Sequence, residues 1–345
     1  MTLDPTPYLD ALETDLRAML SPPEHCGAPV SPLYRMMQYH MGWLDATLAP
    51  AAAPRGKQLR PLMCLLACEA AGGNWRAALP AATAVELVHN FSLIHDDIED
   101  NSETRRHRDT VWHLWGIPQA INTGDAMWSL ARLSCHRLAA LGHAPEAILR
   151  VVAALDRACL ELCTGQYLDL AFEGQAVVSP EDYISMISGK TAALLAAALE
   201  SGAVLAGASD ASVAAYRNFG HALGLAFQIC DDILGIWGDP AVTGKSAAGD
   251  ILTRKKTLPA LYALAWERDR GDDAMARRYA GPTLSAEDIP AVLAVLDRAG
   301  ARAYAEAQAA EHTRRALDYL DASGGRGAAC EGLRALALSL VGRDS

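Results

Sequence analysis

Residues 84–100 read AVELVHNFSLIHDDIED, an apolar run that ends in a cluster of acidic residues. The apolar residues from Ala84 to Ile94 recur at helical spacing, which predicts a buried α-helix. Asp96 and Asp100 lie four positions apart, so their side chains project from one helical face. Like charges repel there, and the C-terminal end of a helix is unfavourable for anions. A bound cation would offset both costs, whereas an exposed acidic helix end is the alternative interpretation.

The rest of the chain shows the same helical spacing of apolar residues. Turn signals such as Pro54-Arg55-Gly56 separate these stretches, and Ser179-Pro180-Glu181-Asp182 has the pattern of a helix start. Alternating runs of β-branched residues are nearly absent, and we find neither a tandem repeat nor a long linker. We therefore expect an all-α fold, in which residues 1–345 form a single large helical bundle around a central cavity.

A second acidic pair occurs in Gln228-Ile229-Cys230-Asp231-Asp232, which follows the apolar helical run 222–227. Two Asp-Asp pairs, each at the end of a buried helix, predict two carboxylate clusters that face one cavity. Oxygen-only ligands favour Mg²⁺, which takes one or two carboxylates together with substrate phosphates. The predicted cavity would therefore hold several Mg²⁺ ions and a diphosphate.

Short basic clusters, many of them next to glycine, accompany the acidic pairs. They are Gly56-Lys57-Gln58-Leu59-Arg60-Pro61, Arg105-Arg106-His107-Arg108, Gly189-Lys190-Thr191, Lys245 in the glycine-rich stretch 238–249, and Arg254-Lys255-Lys256. Any one of them is more commonly a solvated surface charge. Together, in an acidic chain, they indicate phosphate binding, since glycine lets the backbone and a cation approach an anion closely.

The composition argues against several other classes of protein. A formal net charge of −11 is unlike that of a nucleic-acid-binding domain. The apolar stretch 191–208 is rich in Ala and Gly and contains Glu200, so we interpret it as a buried helix and not as a membrane span. None of the eight cysteines stands in a CxxC pair, and the N-terminus lacks a signal-peptide pattern. We expect a cytoplasmic protein with no membrane span and no nucleic-acid partner.

Five segments, in this order and at this spacing, resemble the motifs of the polyprenyl synthetase family. They are Gly56-Lys57-Gln58-Leu59-Arg60-Pro61, Asp96-Asp97-Ile98-Glu99-Asp100 with Arg105-Arg106, Gly165-Gln166-Tyr167-Leu168-Asp169, Gly189-Lys190-Thr191, and Phe227-Gln228-Ile229-Cys230-Asp231-Asp232. The resemblance extends over about residues 30–340. It implies an isoprenoid synthase-like fold, a homodimer, and a magnesium-dependent trans-prenyltransferase. Such an enzyme joins isopentenyl diphosphate to dimethylallyl, geranyl or farnesyl diphosphate.

The resemblance also implies a role for each matching residue. Metal binding would fall to Asp96, Asp100 and Asp231, supported by Asp97 and Asp232, with three Mg²⁺ ions when substrate is bound. The allylic diphosphate would be held by Arg105, Lys190 and Lys245, together with Lys255. Isopentenyl diphosphate would be bound by Lys57, Arg60, His89 and Arg106. The oxygens of Thr191 and Gln228 would face the allylic cation. We interpret Gln166 and Asp169 as a supporting hydrogen-bonded pair.

The chain departs from the family pattern at one position. The second acidic motif usually ends in a third Asp, and Gly235 occupies that position here. Asp239, four residues further on, is a candidate to compensate.

Product length is expected to depend on the helix that carries the first acidic motif. Helical geometry places the small Ser92 almost in line with Asp96 and places Phe91 well off that line. The family resemblance implies instead that Phe91, five positions before the motif, forms the floor of the chain tunnel. Together these arguments favour geranylgeranyl diphosphate, with farnesyl diphosphate as the alternative product.

Two other functions are compatible with parts of this pattern. A terpene cyclase of the same fold needs no isopentenyl site, so Lys57, Arg60 and Arg106 argue against it. A non-catalytic subunit of a heteromeric synthase usually lacks one acidic motif, and both motifs are present here.

Overall fold

The computed structural model describes residues 3–23, 27–53, 56–238, 248–281 and 284–342. Their regular structure is helical except for one short β-hairpin, which confirms the predicted all-α fold. The chain forms two compact units. The first comprises Met1–Arg157, Ala197–Ala214 and Ser323–Leu333, and the second comprises Ala158–Ala196, Ala215–Ala322 and Arg334–Ser345. A single domain over residues 1–345 stays a prediction.

Six helices lie wholly in the first unit. They are α1 (Thr6–Met19), α2 (Ser31–His40), α3 (Leu59–Ala70), α4 (Leu79–Glu99), α5 (Val111–Trp115) and α6 (Ile117–His136). Helix α4 packs against α1, α3 and α6. Because residues on every side of α4 are apolar, the helix is enclosed by its neighbours and forms the centre of this unit.

A β-hairpin joins α4 to α5, and the sequence did not reveal it. Strand β1 (Thr104–Arg105) pairs antiparallel with β2 (Arg108–Asp109). The two residues of the turn, Arg106 and His107, have φ values of 53° and 61°. Two consecutive positive φ values are typical of a type I′ turn, which matches the twist of the flanking strands.

Four helices contribute residues to both units. They are α7 (Pro145–Glu173), α9 (Ala193–Leu205), α10 (Asp210–Trp237) and α16 (Gly327–Val341). Between α7 and α9 lie α8 (Pro180–Ile187) and a π-helical turn, Ser188–Ala192. Ser179 and Asp182 form a capping box at the start of α8, as the sequence predicts.

The second unit contains the remaining helices. They are α11 (Gly249–Leu252), α12 (Leu258–Arg268), α13 (Ala274–Ala280), α14 (Ile289–Ala299) and α15 (Ala301–Ala322). Helix α12 packs against α8, α14 and α15. Leu225 and Ile229 of α10 are buried in one core cluster with Leu258 of α12. This packing anchors the end of α10 that carries the second acidic motif.

Two helical stretches, Trp75–Glu99 and Asp210–Trp237, are long and apolar enough to be compared with membrane spans. Their most apolar windows are 78% and 67% buried inside the protein. The apolar composition of these two helical stretches is therefore explained by their burial in the protein core.

Candidate active site

The first acidic motif forms the last turn of α4 and presents its carboxylates in two directions. Asp97 is 1% exposed, and its Oδ1 accepts a hydrogen bond of 2.7 Å from Arg105 Nε. Burial raises the pKa of Asp97 to about 6, although Arg105 opposes this shift. Asp96 is half-buried and Asp100 is exposed. The motif thus directs Asp97 inward to a protein partner and leaves Asp96 and Asp100 on the more accessible side.

The β-hairpin brings two of the predicted phosphate-binding arginines to this motif. Asp97, Arg105 and Arg106 line a small cavity of about 20 Å³, together with His40 of α2. That volume accommodates about one water molecule. Burial, followed by the positive charges of the hairpin arginines, lowers the pKa of His40 to about 3. His40 is therefore neutral in the physiological range.

Three of the four residues predicted to bind isopentenyl diphosphate lie together in the first unit. Arg60 Nη1 of α3 is 3.4 Å from His89 Nε2 of α4. Burial lowers the pKa of His89 well below its ordinary value, and the charges of Arg60 and Arg106 act in the same direction. A neutral His89 beside Arg60 can accept or donate a hydrogen bond without adding charge. Lys57, the fourth residue, is exposed two positions before the start of α3.

The approach of Arg106 depends on a glycine. A Cβ atom on Gly56 would lie 2.7 Å from Nη2 of Arg106, closer than side chains normally come. The glycine before Lys57 therefore makes room for a guanidinium group. The sequence motif alone did not reveal this second use of Gly56.

Glu86 is a buried acidic residue of this cluster that the sequence analysis missed. It is 5% exposed, and its Oε1 accepts a hydrogen bond of 3.0 Å from Asn90 Nδ2. Burial raises the pKa of Glu86, while Arg60 and Arg106 oppose the shift. A carboxylate inside the apolar run of α4, three positions before His89, was the available signal. Glu86 partly neutralises two cations that would otherwise repel each other.

The second acidic motif, in the second unit, repeats the inward and outward arrangement of the first. Asp232 is fully buried and accepts hydrogen bonds from the Tyr183 hydroxyl and, at 3.2 Å, from the backbone N–H of Leu258. Burial raises the pKa of Asp232 to about 6, and Lys255 opposes this shift. Its neighbour Asp231 is half-buried.

The predicted Lys190 and Thr191 lie in the π-helical turn between α8 and α9. Lys190 Nζ forms an ion pair with Asp169 Oδ2, and Thr191 Oγ1 donates a hydrogen bond of 2.8 Å to Gln228 Oε1. Gln228 Nε2 lies 3.4 Å from Asp232 Oδ1. The turn thus carries two sets of polar contacts, the pair Lys190–Asp169 and the series Thr191–Gln228–Asp232. π-helical turns of this kind are frequent at functional sites.

Glycines allow the π-helical turn to approach α7 closely. A Cβ atom on Gly165 would lie 2.8 Å from the Lys190 Cα, and one on Gly189 would collide with the carbonyl of Glu161. The glycines of both motifs therefore permit backbone contact between α7 and the turn.

Gln166 and Asp169 do not form the hydrogen bond that the sequence analysis predicted, so that prediction is wrong. Asp169 is paired with Lys190, whereas both amide atoms of Gln166 are buried and lack a hydrogen-bond partner among the described residues. The spacing of the two residues allows a contact on one helical face. It could not show that Lys190, 21 positions further along the chain, binds the Asp169 carboxylate instead.

Asp250 is a second acidic residue that the sequence analysis missed. Its carboxylate lies against Gly235, the position where the family usually has an Asp. Burial lowers the pKa of Lys255, but the carboxylates of Asp232, Asp250 and Asp231 outweigh this effect and raise it. Lys245 and Asp239, both named from the sequence, lie outside the described residues.

The two residues predicted to control product length lie side by side on α4. Phe91 is 8% exposed, and its ring makes an edge contact with His95 at a centroid distance of 5.8 Å. Ser92 is buried, and its hydroxyl donates a 2.8 Å hydrogen bond to the carbonyl oxygen of His89.

The carboxylates of the two motifs suit Mg²⁺ by their chemistry. Within the described residues, no group of three or more His, Cys, Asp or Glu side chains is arranged to hold a metal by itself. Mg²⁺ usually relies on one or two carboxylates and completes its shell with water and substrate phosphates. Pairs of accessible oxygen ligands fit that mode of binding better than a closed protein cage.

Comparison with known proteins agrees with this geometry. Residues 41–296 match the family model for polyprenyl synthetases. The chain is 42% identical over 289 residues to a geranylgeranyl diphosphate synthase of Mycobacterium tuberculosis, covering 84% of this chain and 81% of that protein. It is 41% identical to a (2E,6E)-farnesyl diphosphate synthase of Mycobacterium bovis, covering 83% and 79% of the two chains.

A solved structure extends the comparison. The geranylgeranyl pyrophosphate synthase of Corynebacterium glutamicum, complexed with isoprenyl diphosphate and magnesium, superimposes with a TM-score of 0.82 at 30% identity. The match covers 99% of this chain and 100% of that one. The chain therefore belongs to the polyprenyl synthetase family and is a trans-prenyltransferase of the all-α isoprenoid synthase fold.

Proposed function

We propose that this protein is a magnesium-dependent synthase that condenses isopentenyl diphosphate with allylic diphosphates to geranylgeranyl diphosphate. The observation that carries the proposal is the shared arrangement of the two acidic motifs. In each, the second Asp is buried and held by protein donors, and the first Asp remains more accessible. Asp96, Asp100 and Asp231 are the proposed metal ligands, and Asp97 and Asp232 position them.

We assign the binding of the allylic diphosphate to the basic side chains near these motifs. When bound, Mg²⁺ would neutralise charge that develops on the departing diphosphate, an effect worth several kcal/mol. Lys190 and Arg105 are each paired with a carboxylate, Asp169 and Asp97 respectively, which orients their side chains before substrate arrives. Lys255 and Lys245 complete the proposed set.

Isopentenyl diphosphate is assigned to the group formed by Lys57, Arg60, His89 and Arg106. Two guanidinium groups beside a neutral imidazole offer several N–H donors to phosphate oxygens. Such a second anion site supports condensation over cyclisation, because a cyclase binds one diphosphate only.

The chemistry then proceeds in three steps. The allylic carbon–oxygen bond breaks, and its electron pair leaves with the diphosphate. The double bond of isopentenyl diphosphate supplies the electron pair of the new carbon–carbon bond. A proton is lost from the resulting cation, with the departed diphosphate as its acceptor. Buried apolar residues of α4 and α10 would keep water from the cation.

The proposal includes a homodimer in the cytoplasm. Four exposed apolar side chains lie along α6, and three of them, Ile117 at 48%, Ile121 at 43% and Trp128 at 38% exposure, fall in one row. Apolar side chains in such a row are typical of a protein interface.

One assay tests the proposed function directly. The purified protein is incubated with labelled isopentenyl diphosphate and each of dimethylallyl, geranyl and farnesyl diphosphate, with Mg²⁺ or with excess chelator. We expect a C20 product from each primer and no product in chelator. Products of C15 only would indicate a farnesyl diphosphate synthase. Release of a cyclic hydrocarbon without consumption of isopentenyl diphosphate would indicate a cyclase and contradict the proposal.

A further inference from the structure

Gln166 is the feature of the second unit that the proposed roles leave unexplained. Its side chain is 5% exposed, and neither Nε2 nor Oε1 has a hydrogen-bond partner among the described residues. A buried amide without partners destabilises the folded protein, because its loss of hydration is not offset by hydrogen bonds. Hydrophobic residues of similar volume would avoid this cost, so the amide requires a reason other than stability.

Gln166 lies beside the proposed diphosphate-binding turn. Its neighbour Gly165 contacts the backbone of Lys190, and Asp169, one turn further along α7, is paired with the Lys190 side chain. At helical spacing, Gln166 and Asp169 share one side of α7. Asp169 and Lys190 have side-chain exposures of 28% and 27%, whereas Gln166 is 5% exposed. Gln166 therefore lies deeper than the cation that would hold the diphosphate.

The other glutamine at this site, the half-buried Gln228, has different surroundings. Gln228 Oε1 accepts a hydrogen bond from Thr191, and its Nε2 lies near Asp232. The Gln228 oxygen, which the family resemblance places facing the allylic cation, therefore already accepts a hydrogen bond within the protein. The Gln166 amide is uncommitted to such protein partners, and its oxygen retains both lone pairs.

We propose that Gln166 is a further catalytic residue, whose amide oxygen faces the allylic carbons and stabilises the cation formed there. This inference rests on the proposed function, because it requires an allylic diphosphate bound by Lys190. Because Gln166 is more buried than the Lys190–Asp169 pair assigned to the diphosphate, we assign it to the hydrocarbon end of that substrate. As the carbon–oxygen bond breaks and its electron pair leaves with the diphosphate, positive charge spreads over the allyl group. An amide oxygen already in place lowers the energy of that charge without reorganising solvent.

The test compares Gln166→Met with wild type, because methionine has a similar length and no amide. Since the interaction forms with the cation and not with the neutral substrate, kcat should fall about 10- to 100-fold while KM for both substrates changes little. The melting temperature should stay equal or rise, because an unpaired polar group has been removed. Gln175→Met, at an exposed glutamine just beyond α7, is the matched control and should leave all three quantities unchanged.

A binding measurement separates this role from ground-state binding. The probe is geranyl thiolodiphosphate, in which sulfur replaces the bridging oxygen and slows ionisation, measured by calorimetry with Mg²⁺. We expect Gln166→Met to bind it within about twofold of wild type, because the probe carries no allylic cation.

Three results would overturn the inference. An unchanged kcat would show that the amide does not act on the reaction. A large loss of probe affinity with little loss of kcat would show that it binds the diphosphate. Unfolding of both Gln166→Met and Gln166→Leu would show that the amide holds the fold, through a buried water. If wild type itself forms no product from isopentenyl diphosphate, the proposed function fails independently of Gln166.

Discussion

The carboxylate of Asp250 lies against the backbone of Gly235, in the space where a side chain at that position would begin. A Cβ atom on Gly235 would lie 2.6 Å from the carboxyl carbon of Asp250. Any other residue at position 235 must therefore displace Asp250. The family's usual third Asp and the observed placement of Asp250 exclude each other. Asp250 thus brings a carboxylate to the position where Gly235 leaves the motif without one.

Gly235→Asp should reduce activity, even though it restores the usual acidic residue. The new side chain would push Asp250 away and place two like charges together. We expect a loss of kcat of at least about tenfold. Asp250→Ala should lose about 10²-fold if its carboxylate helps to hold a metal ion that neutralises the departing diphosphate. Gly174→Ala is the control, since nothing lies within 4 Å of a Cβ atom there. An increase in kcat on Gly235→Asp would contradict this interpretation.

The free energy of unfolding should fall as the pH rises from about 4 to about 6, because burial raises the pKa of both Asp97 and Asp232 to about 6 from 3.8. In this window the unfolded chain has lost these protons while the folded protein still holds them, so ionisation favours unfolding. Each residue contributes at most about 3 kcal/mol, at about 1.4 kcal/mol for each pKa unit.

Asp232→Asn tests this pH dependence, since an amide oxygen can still accept hydrogen bonds from Tyr183 and Leu258. Chemical denaturation without metal at pH 4, 5, 6 and 7 should show that the variant gains stability relative to wild type as the pH rises. Parallel profiles for wild type and Asp232→Asn would show that this carboxyl is not the cause.

Arg60→Ala should weaken isopentenyl diphosphate much more than the allylic substrate. A charge-assisted hydrogen bond contributes about 1.5–3 kcal/mol, which predicts a rise in KM of about 10- to 100-fold. Lys57→Ala should act in the same direction with little effect on stability, because Lys57 is exposed. Arg76→Ala, at an exposed arginine stacked on Trp75, provides the control for general loss of positive charge. Equal rises in KM for both substrates would show that these residues do not define a separate site.

Phe91→Ala should lengthen the products and Ser92→Phe should shorten them toward C15. Phe91 is buried on the proposed wall of the chain tunnel, so its removal opens space, while a ring at position 92 fills it. Product chromatography measures the change. Phe91→Ala should also cost about 3–5 kcal/mol of stability, so Leu16→Ala, a fully buried residue of α1, is the control for destabilisation alone. If Phe91→Ala leaves the product distribution unchanged, the floor of the tunnel lies elsewhere.

Trp128→Glu should dissociate the proposed homodimer, because it places a charge at the C-terminal end of the exposed apolar row on α6. Light scattering coupled to size-exclusion chromatography would then report half the wild-type mass. Val177→Glu, at an exposed apolar residue of the second unit, should leave the mass unchanged. A monomeric wild-type protein would contradict the assignment.

Local sequence pattern was sufficient for the helices and for the identity of most candidate residues. Apolar spacing predicted α4 and α10, and Ser179 with Asp182 predicted the start of α8. These features depend on residues within one or two helical turns, so they are readable without tertiary information. The family resemblance likewise named Arg60, His89 and Arg106, which the structure then places near one another.

Tertiary structure decided which atoms are committed to protein partners. Asp96 and Asp97 are adjacent in sequence, yet only packing and the β-hairpin turn Asp97 inward to Arg105. The pairing of Asp169 with Lys190, which leaves Gln166 without a partner, likewise joins residues from different elements. Asp250 and Gly235 stand 15 positions apart and belong to no common motif. Such contacts are long-range in sequence, and local pattern carries no information about which side chains meet when helices pack.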